Sequence, residues 1–202
     1  VFRNTEIHLI ADNVLDETWS WIDIQFPHIK KERTLFGNGA ASFNHALTIA
    51  LKLPLNDIIY FVEDDYLHRE NSLSVLKEGI MLGADYVTLY DHPDKYLDTD
   101  NPFVDKDGEV TKVFLTKSCH WKMTSSTTMT FASTVRTLKQ DEKILRSRTI
   151  NHHPDDFNMF ADLSDLGRSL VSPIPGFSTH GQSDFLSPLV NWEEVVNNYS
   201  HD

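Results

Sequence analysis

The sequence predicts an α/β fold with a mainly parallel central sheet flanked by helices and a small antiparallel part. Short β-branched and aromatic runs alternate with helically periodic stretches over residues 7–89, the order that gives parallel strands covered by helices. An Asp-Gly pair between two short strand candidates supplies the antiparallel hairpin. Polar residues follow directly where strand candidates run out, as at the ligand-binding edge of open α/β sheets.

Taken in order, residues 7–10 form an apolar run closed by Asp12 and Asn13, a strand with polar side chains at its end. Residues 42–53 space Phe43, Ala46, Leu47, Ile49, Ala50 and Leu53 as on a helix, which Pro54 stops. Residues 57–62 (DIIYFV) read as a strand buried on both faces, and Glu63, Asp64 and Asp65 follow at once. Residues 71–82 are again helical, with Leu73, Leu76, Ile80 and Met81 on one side and Gly83 as C-cap. Residues 86–89 are the next strand, and residues 105–110 (DKDGEV) carry the hairpin. Residues 112–131 are irregular and rich in hydroxyls, and residues 134–145 are a helix. The stretch 151–182 mixes acids, histidines, prolines and glycines, which suits a functional edge more than a core. No repeat or linker divides the chain, so residues 1–202 are expected to form one domain.

Composition narrows the function. The 202 residues carry 18 Lys plus Arg against 30 Asp plus Glu, a formal charge of -12, with no basic run to displace counterions from nucleic acid. The longest apolar stretches, such as residues 58–62, fall far short of the ~20 residues of a membrane span. No signal peptide is visible, and the single Cys119 excludes an internal disulfide, so a reducing, cytoplasmic setting is expected.

Three adjacent carboxylates at a strand end repel one another unless a cation sits among them, and a divalent metal is the natural one. Mg²⁺ and Mn²⁺ are commonly shared between one or two carboxylates and substrate phosphates. The alternative for Glu63, Asp64 and Asp65 is a solvated turn or helix start.

The order of these segments resembles the inverting nucleotide-sugar glycosyltransferases of the GT-A fold, family 2. A strand ending in Asp12 (IHLIADN), the segment FGNGAASFNHAL with Asn38, Gly39 and Asn44, the acidic EDD at residues 63–65 and the pair Asp155 and Asp156 in HHPDDFNMF are similar to that family's motifs in the same order over roughly residues 6–182. The EDDY form and the STHGQ segment are also similar to a virus-encoded glycosyltransferase domain. The resemblance implies a nucleotide-binding part over about residues 1–90 and an acceptor-binding part over about 91–202. It further implies a UDP-sugar donor, a glycan or glycoprotein acceptor and an Mn²⁺ or Mg²⁺ cofactor. Asp12, Asn38, Gly39 and Asn44 would contact the donor, Glu63 and Asp64 would share ribose and outer metal contacts, and Asp65 would be the inner metal ligand. His180 would be a second ligand from the C-terminal loop. Asp156, or Asp155 one residue earlier, would be the catalytic base. His120, Trp121 and the hydroxyls of residues 124–128, Ser125 among them, would meet the acceptor.

The family has a further strand and helix ahead of the one ending at Asp12, whereas five residues precede Glu6 here. Either the sequence belongs to a longer multidomain chain or the pocket is partly open on that side. Each site residue also has a structural reading: Asp155 and Asp156 as a helix cap, His180 as a surface histidine, the hydroxyl run as a Thr-rich strand. Two other functions compete. A metal-dependent hydrolase would use His152, His153, Asp155 and Asp156 with the acidic triplet, although no spacing such as HExxH is present. A non-catalytic domain would bind a sugar nucleotide without turnover.

Overall fold

The computed structural model describes residues 1–2, 5–97, 101–105 and 108–199. The chain runs β1 (His8–Asp12), α1 (Asp16–Gln25), β2 (Lys30–Thr34), α2 (Gly39–Ala50), β3 (Ile58–Phe61), β4 (Tyr66–His68), α3 (Ser72–Met81) and β5 (Tyr86–Val87). It continues through β6 (Val104–Asp105), β7 (Gly108–Glu109), β8 (Val113–Leu115), β9 (His120–Met123), β10 (Phe131–Thr134), α4 (Val135–Ser147), α5 (Asp156–Asp165), β11 (Leu170–Ile174), β12 (Ser178–His180) and α6 (Trp192–Tyr199). α2 starts three residues before the expected helix because the Asn38 side chain caps it, its Oδ1 accepting from the Ala41 N–H at 2.8 Å. Gly83 lies just past α3 at φ +80°, where a side chain would be strained. β6 and β7 pair antiparallel, while residues 106 and 107 of the expected turn lie outside the described residues.

The chain is α/β, but its main sheet is not the mainly parallel GT-A sheet expected. Six strands pair in the order β3-β10-β5-β11-β9-β8, and two-stranded sheets β1-β2, β12-β4 and β6-β7 accompany them. Within the six-stranded sheet β5 and β11 run parallel, whereas β3 with β10, β10 with β5, β11 with β9 and β9 with β8 are antiparallel. β3 and β5 do share a direction, as a strand-helix-strand unit requires. They are not neighbours, because β10 from much later in the chain is inserted between them in the opposite direction. Local periodicity cannot reveal a pairing between residues some seventy positions apart. β3 is accordingly an edge strand of this sheet with Ile58 exposed, not a strand buried on both faces.

Alternating side chains build a core on each face of the sheet. Phe61, Tyr86, Phe131 and Leu170 pack with Phe43 and Leu47 of α2, Leu138 and Leu145 of α4, and Met159, Phe160 and Leu163 of α5. Their neighbours Tyr60, Val87, Ala132 and Val171 turn to the other face, against Val75 and Leu76 of α3 and Trp121 of β9. Among the described residues no helix is long and apolar enough to cross a membrane.

Gly79 is the tightest point of that second face. A Cβ there would lie 2.5 Å from the Trp121 ring and 2.7 Å from Val87 Cγ1. In an open helix Gly→Ala gains about 1 kcal/mol. Here overpacking of about 1–3 kcal/mol opposes that gain, because Trp121 is fully buried and has nowhere to move. Urea denaturation of Gly79→Ala is expected to show a lower midpoint than the wild type with an unchanged slope.

Candidate functional site

The end of β3 delivers Glu63, Asp64 and Asp65 to an opening that three other segments complete. The Glu63 N–H donates to Thr130 Oγ1 at 3.1 Å, which ties the acidic tract to the residues leading into β10. β4 follows the acids directly, and its antiparallel partner β12 places His180 opposite Tyr66. This ribbon sets His180 Nε2 3.0 Å from Asp65 Oδ2. His180 Nδ1 accepts the Gln182 N–H at 3.2 Å, so the proton belongs on Nε2, the nitrogen nearer Asp65. A Cβ at Gly181 would sit 2.9 Å from the Asp65 carbonyl oxygen, so glycine is what allows the two loops to approach this closely. The Tyr66 ring packs edge-on against Tyr90 and His180, and its hydroxyl shares a 2.6 Å hydrogen bond with Thr128.

The opening is strongly anionic. Glu63 is solvent-exposed as a residue, yet its carboxyl is pushed up to about 7. Protein crowding around the carboxyl contributes most, followed by the charges of Asp65, Asp156 and Asp64, which outweigh the Thr130 hydrogen bond. The charge of Asp156, at the start of α5, is among those that act on Glu63. Asp156 is itself raised, first by burial, with its own Phe157 N–H at 2.7 Å and the charge of His92 acting against the rise.

The two carboxylates expected as alternatives for a base have separate tasks. Asp155 occupies the cap position of α5 without capping it. Instead it accepts from Asn158 Nδ2 at 2.9 and 3.1 Å and from Arg148 Nη1 at 3.2 Å, while Arg148 also clamps Asp162 at 2.7 and 2.9 Å. Asp156 has no such side-chain partner among the described residues.

Other expected donor residues belong to the scaffold. Both Asp12 oxygens are occupied by residues 34–37, accepting from Thr34 Oγ1 (2.9 Å), Phe36 N–H (2.7 Å) and Gly37 N–H (2.8 Å). Burial would raise this carboxyl, but those donors prevail and hold it below the ordinary value. Asn44 donates to Thr149 Oγ1 and to its carbonyl, both at 2.9 Å, and the Ala40 N–H reaches the His152 carbonyl. Asn44 and the Ala40 N–H thus fasten α2 to the loop that leads into α5, while Asn38 caps the helix itself. A groove of about 690 Å³ lined by Phe36, Asn38, Asn44, His45, Arg146 and His152 runs along this junction.

The expected acceptor residues need correction. Trp121 is fully buried beneath α3, its indole N–H donating to Thr116 Oγ1, and cannot stack on a sugar. Ser126 and Thr127 are buried as well. Ser125 is half-buried, its N–H on Glu109 and its Oγ accepting from Lys95. His120 is exposed at the start of β9. The segment after β5 carries a charged cluster of its own. Asp91 is buried under Lys122 Nζ (3.0 Å) and the Tyr96 hydroxyl (2.8 Å), and His92 follows with Nδ1 2.6 Å from Asp94 Oδ1. The strand-end rule that singled out residues 63–65 applies equally to Asp91 and His92 after the strand at 86–89.

Asp65 and His180 are an O/N donor pair, and their close approach fits a divalent cation completed by phosphate oxygens and water. Among the described residues no group of three His, Cys, Asp or Glu side chains is set to hold a metal by itself. His152 and His153, needed by a hydrolase, are exposed loop residues. No family model and no curated protein matches the chain. Among solved structures it is similar to A197 from STIV, with 15% identity over 91% of each chain and a TM-score of 0.47.

The raised Glu63 carboxyl makes stability depend on pH with a defined sign. Its proton is held more tightly in the fold than at the ordinary 4.5, so the associated stability is present below 4.5 and lost as pH rises through about 7. Glu63→Gln, melted in EDTA, is expected to match the wild type near pH 4 and to exceed it near pH 8. Solvent screening limits the gain to about 1 kcal/mol. Equal melting temperatures at both pH values would remove the crowding of charge from this opening.

Proposed function

We propose that the chain is a metal-dependent glycosyltransferase that moves a sugar, with inversion, from a nucleoside-diphosphate sugar to a glycan hydroxyl, with a UDP-sugar as donor. The observation that carries this reading is the meeting of two chemistries at one opening: the Asp65–His180 pair, and the half-buried Asp156 whose charge acts on Glu63. A diphosphate needs a cation in so acidic a chain, and a hydroxyl nucleophile needs a carboxylate base.

Asp65 and His180 would hold Mn²⁺ or Mg²⁺, which offsets the negative charge that collects on the departing diphosphate. Asp64, exposed beside them, and Glu63, whose carboxyl also meets Thr130 Oγ1, would take ribose hydroxyls. In the transfer the bond from the anomeric carbon to the diphosphate oxygen breaks with its electron pair leaving on the diphosphate. The acceptor oxygen bonds to the opposite face of that carbon, and its proton passes to Asp156. A raised carboxyl suits that task, since it holds a proton better than an ordinary aspartate. Arg148 takes Asp155 out of competition by holding it against α5.

UDP at 100 times its dissociation constant is expected to stabilise the fold by about 2.7 kcal/mol with Mn²⁺ present, and not in excess EDTA. Asp65→Ala should abolish that thermal shift. Asp156→Asn should keep the shift and lose roughly 10²–10⁴-fold in turnover, with the wild-type product carrying the opposite anomeric configuration by NMR. A metal-independent shift would overturn the cation site. Binding without turnover would make this a sugar-nucleotide-binding domain, and sugar released only to water would make it a hydrolase.

A further inference from the structure

The loop after β12 carries an exposed aromatic ring next to the Asp65–His180 pair. Phe185, in a short 3₁₀ turn over Ser183–Phe185, is 41% exposed. Its ring centroid lies 5.6 Å from that of His180, in an edge arrangement, and 5.9 Å from that of His92. Since His180 Nε2 is 3.0 Å from Asp65 Oδ2, the ring is one side chain removed from the pair that fits a divalent cation. A lone exposed phenylalanine is ordinary on a protein surface and calls for no function. This one is distinguished by being both anchored and placed beside a donor pair.

The anchoring comes from the backbone on either side. The Phe185 N–H donates to the Gln182 carbonyl at 3.0 Å, and the Phe185 carbonyl accepts from the Tyr90 hydroxyl at 2.6 Å. Further on, the buried Ser187 donates its N–H to Thr179 Oγ1 at 2.8 Å, and its carbonyl accepts the Trp192 indole N–H at 2.8 Å. The two imidazoles hold the ring itself from the side. A ring so restrained has little freedom left to lose when a ligand covers it, whereas a ring on a loose loop would lose much of the same contact to ordering.

The placement selects the ligand. A cation shared by Asp65 and His180 would bind diphosphate oxygens at about 2.0–2.6 Å, and in a nucleoside-diphosphate sugar the sugar is bonded directly to that diphosphate. The base lies at the far end of the same diphosphate, so the sugar is the ring within reach of Phe185. A hexopyranose has hydroxyls around its rim and C–H bonds on its faces, and an aromatic ring with its negative face suits those C–H bonds. The carboxylates of residues 63–65 can meet only the rim.

We propose that Phe185 is the platform for the transferred sugar, a hexopyranose whose C–H face packs on its ring, and that it sets how much the sugar adds to donor binding. This rests on the transferase reading for the donor, and the experiment separates the two. Calorimetric titration in Mn²⁺ compares UDP with UDP-glucose, UDP-galactose and UDP-N-acetylglucosamine. Phe185→Leu keeps an apolar side chain against His180 and removes the aromatic face, and Phe185→Trp retains such a face. The tightest of the three sugar nucleotides is expected to bind the wild type more tightly than UDP does. Phe185→Leu is expected to weaken it about tenfold with UDP unchanged, and Phe185→Trp to restore it. Sugar nucleotides no tighter than UDP in the wild type, or an unchanged affinity in Phe185→Leu, would overturn the proposal. So would an equal loss for UDP, which would reduce Phe185 to a support for His180. If the wild type binds neither UDP nor its sugars, the donor reading is what has failed. The platform is then decided by methyl β-D-glucopyranoside alone: the ring NMR signals that Phe185→Leu lacks are expected to shift as the glycoside is added, and unmoved signals overturn it.

Discussion

The insertion of β10 between β3 and β5 is the constraint on which the opening depends. Strands in a sheet stand about 4.8 Å apart, so an intervening strand sets the polar ends of β3 and β5 roughly 10 Å apart. Because β10 is antiparallel to both, its beginning lies at their C-terminal edge, and the residues just before it line the floor between them. Thr130 touches Glu63 on one side, and its carbonyl accepts from Thr88 on the other. Were β3 and β5 direct neighbours, the acidic tract and the His92 segment would crowd each other with no floor between them.

A second constraint is the way the site borrows from the C-terminal third. Neither the acidic tract nor His180 makes a site alone, and the β4–β12 ribbon is what joins them. The cost is close backbone packing at Gly181 and a polar opening with far more carboxylate than the fold would tolerate in its core. The fold places the crowding at a solvent-facing edge, where water takes part of the strain, and reserves its well-packed interior for the aromatic cluster around Phe131.

The sequence was legible where local chemistry decides the outcome. Helices α2, α3 and α4 could be read from apolar spacing, and the ends of β1 and β3 from the polar residues that follow them. The strand order could not be read, since β10 pairs with β3 across some seventy residues. Trp121 shows the limit for single residues. In the chain it stands beside His120 and a hydroxyl run, an attractive sugar platform, but the absence of a side chain at Gly79 draws α3 down over it and seals it in the core. Asn38 and Asn44 show the same ambiguity from the other side, because an amide that suits a ligand suits a helix cap or a loop carbonyl equally well.

The β1–β2 pair has its own hydrogen-bonded ladder, separate from the six-stranded sheet. Its covering helix α1 leaves Trp21 and Ile24 largely exposed, 57% and 73%, and buries only Ile22. A segment with so little apolar closure has a low free energy of local opening compared with the strands around Phe131. Amide exchange in β1 and β2 is therefore expected to proceed by a sub-global unfolding of the N-terminal segment, and that in β10 and β11 only by rupture of the whole domain. Since Asp12 holds residues 34–37 from within that segment, the loop beside the α2 cap is freed by the same opening and shares its lifetime.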